Sequence, residues 1–140
     1  MSETVSNTGQ CLCGAVSFTA RMMSQHVGAC HCAMCRAWGG GPFLAVECGS
    51  DVEFSGEQSV SVFDSSDWAE RGFCARCGSH LFYRLKDGGQ YFIPVGLFEQ
   101  QQGFVFDHQV FIDKKPGYYA FANRTKDMTE AEVFALYGAS

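Results

Sequence analysis

No stretch of this chain approaches the roughly 18 consecutive apolar residues that a membrane-spanning helix requires. Membrane association through a helix is therefore not expected. Proline is scarce, at three in 140 residues, and no Pro/Gly/Ser-rich linker, charge block or internal repeat interrupts the chain, so a single domain over residues 1–140 is expected. The opening Met1-Ser2-Glu3-Thr4 lacks the basic and then apolar regions of a secretory leader, which makes a cytoplasmic, reducing location the expectation. Positive charge is also short. Ten Lys and Arg stand against 15 Asp and Glu, for a net charge of −5 and an isoelectric point near 5.2. A nucleic-acid partner is excluded on that ground, because such binding draws its affinity from neutralised phosphates. Local positive charge survives at Arg36, Arg71 and Arg76, each close to a cysteine.

What the chain does have is apolar and aromatic material. Hydrophobic residues make up 46%, with 13 Phe among them, and a chain of this length buries about two-thirds of its unfolded surface. It can therefore fold without covalent staples. Short runs rich in β-branched and aromatic residues recur at Ala15 to Ala20, Pro42 to Val46, Val60 to Asp64, His80 to Leu85, Tyr91 to Val95 and Phe104 to Phe111. Turn signals such as Lys86-Asp87-Gly88-Gly89 and Lys114-Lys115-Pro116-Gly117 separate them, and the pattern predicts a mainly β fold. Two segments read as helical. Thr129-Glu130-Ala131-Glu132 has the spacing of a capping box ahead of Val133, Phe134, Leu136 and Tyr137, with Gly138 as a stop, which predicts a short C-terminal helix. A turn or two is also predicted from Cys32 or Ala33 to Trp38, ended by Gly39-Gly40-Gly41.

Seven of the eight cysteines fall into three clusters: Cys11-Leu12-Cys13, Cys30-His31-Cys32-Ala33-Met34-Cys35 and Cys74-Ala75-Arg76-Cys77-Gly78. Thiols this dense in a reducing compartment point to metal rather than disulfides. If Cys11 and Cys13 lie on an extended strand, both sulfurs face one side. Cys74-x-x-Cys77 is a knuckle that turns the chain around an ion, with Gly78 supplying unusual backbone angles. Two such pairs would close a tetrahedral zinc site and cross-link segments about 60 residues apart. Spacing alone leaves open whether Cys74 and Cys77 pair instead with the middle cluster.

The middle cluster offers three thiolates, and zinc held by three ligands keeps a coordination position for water, a thiol or an oxygen. His31 would point away from Cys30 and Cys32 on an extended segment, so it is expected beside the cluster or toward solvent rather than as a ligand. Cys48 has no cysteine neighbour in the sequence and reads as a small buried residue. His26, His80 and His108 stand singly and read as ordinary core or surface histidines.

The strings Cys11-Leu12-Cys13-Gly14-Ala15-Val16, Cys30-His31-Cys32-Ala33-Met34-Cys35-Arg36 and Arg71-Gly72-Phe73-Cys74-Ala75-Arg76-Cys77-Gly78-Ser79 together resemble the glutathione-dependent formaldehyde-activating enzyme family, which includes the centromere-protein-V-like proteins. The resemblance runs from about Cys11 to about Tyr119. It implies an Mss4-like zinc-stabilised β fold with two zinc ions per chain: a structural one on Cys11, Cys13, Cys74 and Cys77, and a catalytic, labile one on Cys30, Cys32 and Cys35. It also implies carbon-sulfur lyase chemistry that joins glutathione and formaldehyde as S-hydroxymethylglutathione. Arg36 and Arg71, beside the clusters, are expected to hold anionic ends of the substrate. Ala37 stands where relatives commonly carry lysine, and Lys115-Pro116-Gly117-Tyr118-Tyr119 where many carry a Pro-Trp pair, so the thiol and aldehyde are left broader than the family's name.

Two other classes fit the same cysteines. One is a non-catalytic binding module on the zinc scaffold, whose mark would be a basic or disordered extension that this sequence lacks. The other is a thiol-redox protein using Cys32-x-x-Cys35, which would form a reversible disulfide and need no metal there.

Overall fold

The structure is a computed structural model, and it describes residues 3–137. It is mainly β, with 44% strand and 18% helix. Among the described residues no helix is long and apolar enough to cross a membrane. The described residues divide into two compact units, 3–25 with Val46–Phe104, and His26–Ala45 with 105–137.

In the first unit, β1 (Thr4–Gln10), β2 (Ser17–Ser24) and β5 (Val52–Ser55) form an antiparallel sheet in the order β1-β2-β5. A second antiparallel set runs β6 (Val60–Phe63), β7 (Ala69–Cys74), β8 (His80–Leu85) and β9 (Tyr91–Pro94), each strand paired with the next. Aromatic rings fill the space between these layers. Phe18 meets Phe98 edge-on at 5.3 Å and Phe54 at 5.8 Å, and Phe54 meets Phe82 at 5.4 Å, which meets Tyr91 edge-on at 5.0 Å. Val16, Met23, Leu81 and Ile93 complete the interior. Each of these side chains contributes roughly 1.5–3 kcal/mol by leaving water, so the Phe-rich composition is the material of this core.

Gly56, just after β5, fixes how that strand approaches the chain entering β2. Its φ is +82°, and a Cβ there would lie 1.9 Å from the backbone oxygen of Ala15. Neither problem can be relieved by a rotamer change. Gly56→Ala is therefore expected to cost about 2 kcal/mol or more, read as a fall in the urea midpoint at unchanged slope.

In the second unit, β3 (His26–Cys30) pairs antiparallel with β4 (Phe43–Glu47) through Gly28, Ala29 and Cys30. On its other side it runs parallel to β10 (Val105–Val110), which runs parallel to β11 (Lys126–Met128). The register sets Gln109 beside Ala29 and Val110 beside Cys30. That brings a polar side chain from late in the sequence alongside the middle cysteine cluster. Helix α1 (Ala33–Gly39) follows β3 directly, and its end is closed by the Gly40 N–H on the Arg36 carbonyl at 2.7 Å. Past β10 the chain turns at Phe111, a non-glycine residue with φ of 56°, a conformation that costs about 1 kcal/mol and is held here by an edge-on contact to Phe134 at 5.8 Å.

Helix α2 (Glu130–Tyr137) ends the described chain. Its capping box forms as expected: the Thr129 N–H donates to Glu132 Oε1 at 2.8 Å, and the Glu132 N–H donates to Thr129 Oγ1 at 3.3 Å. The expected stop at Gly138 lies outside the described residues.

Candidate functional site

Cys11, Cys13, Cys74 and Cys77 form one group of sulfurs, all within 4.8 Å of one another. The expected strand geometry for the first pair is corrected by the structure. Cys11 and Cys13 lie in the turn after β1, closed by the Cys11 N–H on the Val16 carbonyl at 2.9 Å and the Gly14 N–H on the Cys11 carbonyl at 3.1 Å. A turn brings their sulfurs to 3.7 Å, whereas a strand would have carried Cys13 onward. The second pair is the expected knuckle. Strand β7 ends at Cys74, the Gly78 N–H donates to the Cys74 carbonyl at 2.8 Å, and Gly78 has φ of +80°, a region glycine adopts without strain.

Ser79 binds the two halves together. Its Oγ accepts from the Leu12 N–H at 3.0 Å and lies 3.2 Å from Cys77 Sγ, to which it donates. That bond, with a second from the Ser79 N–H, draws the Cys77 thiol down to about 5. Burial pushes Cys11 upward, but hydrogen bonds from the Val16 N–H, Cys13 and Cys74 outweigh it and bring it below its ordinary value. Thiolates already favoured at two corners make a ready seat for a dication.

Cys30, Cys32 and Cys35 form the other group, again with sulfurs within 4.8 Å of one another. Cys30 is the last residue of β3 and Cys32 caps α1, its Sγ accepting from the Cys35 N–H at 3.3 Å. Cys35 sits in the first helical turn and is 4% exposed. Among the described residues this group stops at three ligands. The Cys30 thiol is pushed strongly upward, first by its thiol neighbours Cys32 and Cys35 and then by burial. Three sulfurs so close cannot all ionise unless a cation shares their charge. An all-thiol donor set of this softness and size suits zinc, and all eight cysteines carry free thiols.

Arg36 follows Cys35 on α1, and its Nε donates to the His31 carbonyl at 3.0 Å. Arg71 is the other arginine expected to hold an anionic end of the substrate. It lies on β7 in the first unit, 3% exposed, with its guanidinium carbon 4.8 Å from the centre of the Tyr83 ring. His80 is drawn down first by burial and then by the charge of Arg71.

His31 is wholly buried, not solvent-facing. Its Nδ1 lies 2.7 Å from the Tyr119 hydroxyl and its Nε2 2.7 Å from Gln109 Oε1, so both nitrogens are engaged away from the sulfurs. Its pKa is lowered, mainly by burial. Tyr119 is raised by burial, then by Tyr118; Arg36 opposes this and Cys30 adds to it, and its hydroxyl reaches the residue that stands between Cys30 and Cys32 in the chain. The pairing of His31 with Tyr119 and Gln109 leaves no local trace in the sequence, since they lie 88 and 78 residues from it; Tyr119 is noticed there only as the end of Lys115-Pro116-Gly117-Tyr118-Tyr119. Cys48 is buried as expected, and burial pushes its thiol up to about 12.

Fold and site define a mainly β protein carrying two thiol clusters, each able to hold a metal ion. It belongs to the glutathione-dependent formaldehyde-activating enzyme family, whose sequence profile matches residues 6–114. An uncharacterized lyase of Schizosaccharomyces pombe is 40% identical over 126 residues, covering 89% of this chain and 92% of its own length. A Halomonas elongata protein provisionally named a glutathione-dependent formaldehyde-activating enzyme is 33% identical over 85 residues, 53% of each chain. The crystal structure of a Rhodobacter sphaeroides protein matches with a TM-score of 0.58 at 23% identity, covering 66% of this chain and 87% of that one; this likeness concerns the fold alone.

Proposed function

We propose that this protein is a zinc-dependent carbon-sulfur lyase acting on adducts of glutathione, or a similar small thiol, with formaldehyde or another small aldehyde. The observation that carries this reading is the three-thiol group Cys30, Cys32 and Cys35, which offers too few ligands among the described residues to saturate a tetrahedral ion. Family membership and the names of the relatives support the substrate class.

In the direction of synthesis the thiol sulfur attacks the aldehyde carbon, one carbon-sulfur bond forms, the carbonyl π pair moves to oxygen, and the thiol proton ends on that oxygen as the hydroxyl. Zinc bound to the trio would supply Lewis acidity and an open position for the reacting thiol or aldehyde. The chain's part is positional. Cys32 would supply one ligand with the same sulfur that caps α1, so the site is tied to the helix that carries Arg36. Arg36, fixed through Nε to the His31 carbonyl, is the group we assign to a substrate carboxylate. Arg71, the second arginine we assign to an anionic end of the substrate, is buried on β7 with its guanidinium over the Tyr83 ring. The quartet Cys11, Cys13, Cys74 and Cys77 braces the first unit with a second zinc.

Metal analysis of the purified chain with and without glutathione tests this directly. Two zinc equivalents are expected, one of them perturbed or released by the thiol, together with faster exchange between formaldehyde and its glutathione adduct than in buffer. One tight equivalent with no response to thiol would overturn the enzyme reading in favour of a binding module.

A further inference from the structure

A line of hydrogen bonds with a single polarity runs from the edge of the trio to a carboxylate in the second unit. Asp127 can only accept when ionised, so the Thr125 hydroxyl donates to its Oδ1 at 2.6 Å. The Thr125 oxygen in turn accepts from Gln109 Nε2 at 2.9 Å. That turns Gln109 Oε1 toward His31, where it accepts from Nε2–H at 2.7 Å. With its proton on Nε2, His31 has a bare Nδ1, and the Tyr119 hydroxyl donates to it at 2.7 Å. Every proton in the line points toward Asp127. His31 is fully buried and Gln109 is 6% exposed, so water does not compete for the central bonds.

The consequence falls on Tyr119. Its own proton is committed inward, and on this half-buried residue the oxygen has only lone pairs left to present. The Lys115 ammonium holds the ring in place, donating to the Tyr119 carbonyl at 2.6 Å and lying 5.4 Å from the ring centre. Of the species in the proposed reaction, a bare aldehyde offers no hydrogen-bond donor and the thiol only a weak one, whereas the adduct carries a hydroxyl.

We propose that Tyr119 determines specificity at the trio, its oxygen accepting a hydrogen bond from the hydroxyl of an S-hydroxymethyl thiol adduct, with His31, Gln109 and Thr125 as positioning residues that fix its polarity. This rests on the trio being the seat of adduct chemistry. A thioether of equal size without the hydroxyl would leave the oxygen unpaired, and sites built around a hydrogen bond reject such analogues strongly.

Titration calorimetry of the zinc-loaded protein with S-hydroxymethylglutathione and with S-ethylglutathione, under the same formaldehyde background, tests the proposal. The wild type is expected to bind the hydroxymethyl adduct at least about 10-fold more tightly. Tyr119→Phe, with zinc content unchanged, is expected to bind the two within about 2-fold of each other. A phenylalanine variant that keeps the full preference, or a wild type that binds both equally, overturns this inference and leaves the proposed reaction standing. A wild type that binds neither overturns both. Independently of any ligand or metal, 15N spectra should show His31 protonated at Nε2 and bare at Nδ1; the opposite tautomer overturns the assignment.

Discussion

Cys74→Ser is expected to lose one metal equivalent and to lower the thermal midpoint by roughly 10–15 °C. Cys74 has no exposed surface, and its sulfur lies 3.8 Å from that of Cys13, 61 residues earlier. An ion shared by these sulfurs closes a loop of that length, and a cross-link of this span is worth about 4 kcal/mol in lost unfolded-state entropy. That is a large part of the roughly 5–15 kcal/mol by which a domain is normally stable. Serine keeps the size of the side chain but is a poor zinc ligand, and it leaves a hydroxyl in a site shaped for a thiolate. Cys48→Ser is the matched control. Cys48 is just as buried, but its sulfur faces the Val46 carbonyl at 3.6 Å, so both metal equivalents should remain. Metal analysis and thermal denaturation of the two variants decide the matter. An unchanged midpoint in Cys74→Ser would remove the bracing role of the quartet.

The parts of this molecule that were legible in the sequence are those whose causes are local. The helix capped by Cys32 and ended at Gly39-Gly40-Gly41, the box of Thr129 and Glu132, and the strand His80–Leu85 all rest on residues within a few positions of one another, and they appear where expected. Strands β3 and β11 escaped for opposite reasons. In β3 the run Gly28-Ala29-Cys30 lacks the large alternating side chains that mark a strand, because Gly28 gives its space to the His108 ring. In β11 Lys126-Asp127-Met128 is a short polar edge held by parallel pairing with β10, and pairing partners leave no local trace. The same holds at the site. Cysteine spacing announced two metal seats, yet it misjudged the turn at Cys11–Cys13, since two sulfurs can converge from a turn as well as from one face of a strand. The burial of Arg71 and the line from His31 to Asp127 depend on register between distant strands, which no motif encodes.

Cys32→Ser is expected to separate the chemistry of the trio from its architecture more cleanly than any other single change. The Cys32 sulfur stands in two arrangements, as one of three thiols able to hold a metal ion and as the N-cap that accepts from the Cys35 N–H. Serine is among the best N-cap residues, so the variant keeps α1 and its place after β3. What it removes is one of three thiolates. Loss of a partner one step removed from a ligand already costs 10–100-fold in affinity or activity, so loss of the ligand itself should lower adduct turnover by more than about 100-fold. The zinc of the trio should go with it, while the quartet keeps its own and the thermal midpoint moves by only a few degrees, about the worth of 1 kcal/mol. A redox protein working through Cys32 and Cys35 would also lose activity in this variant, but its wild type would turn over undiminished after the labile metal is stripped by a chelator. The lyase reading requires that stripped wild type and Cys32→Ser fail alike, and that restoring zinc rescues only the wild type. Turnover that survives in Cys32→Ser would move the reaction away from the trio altogether.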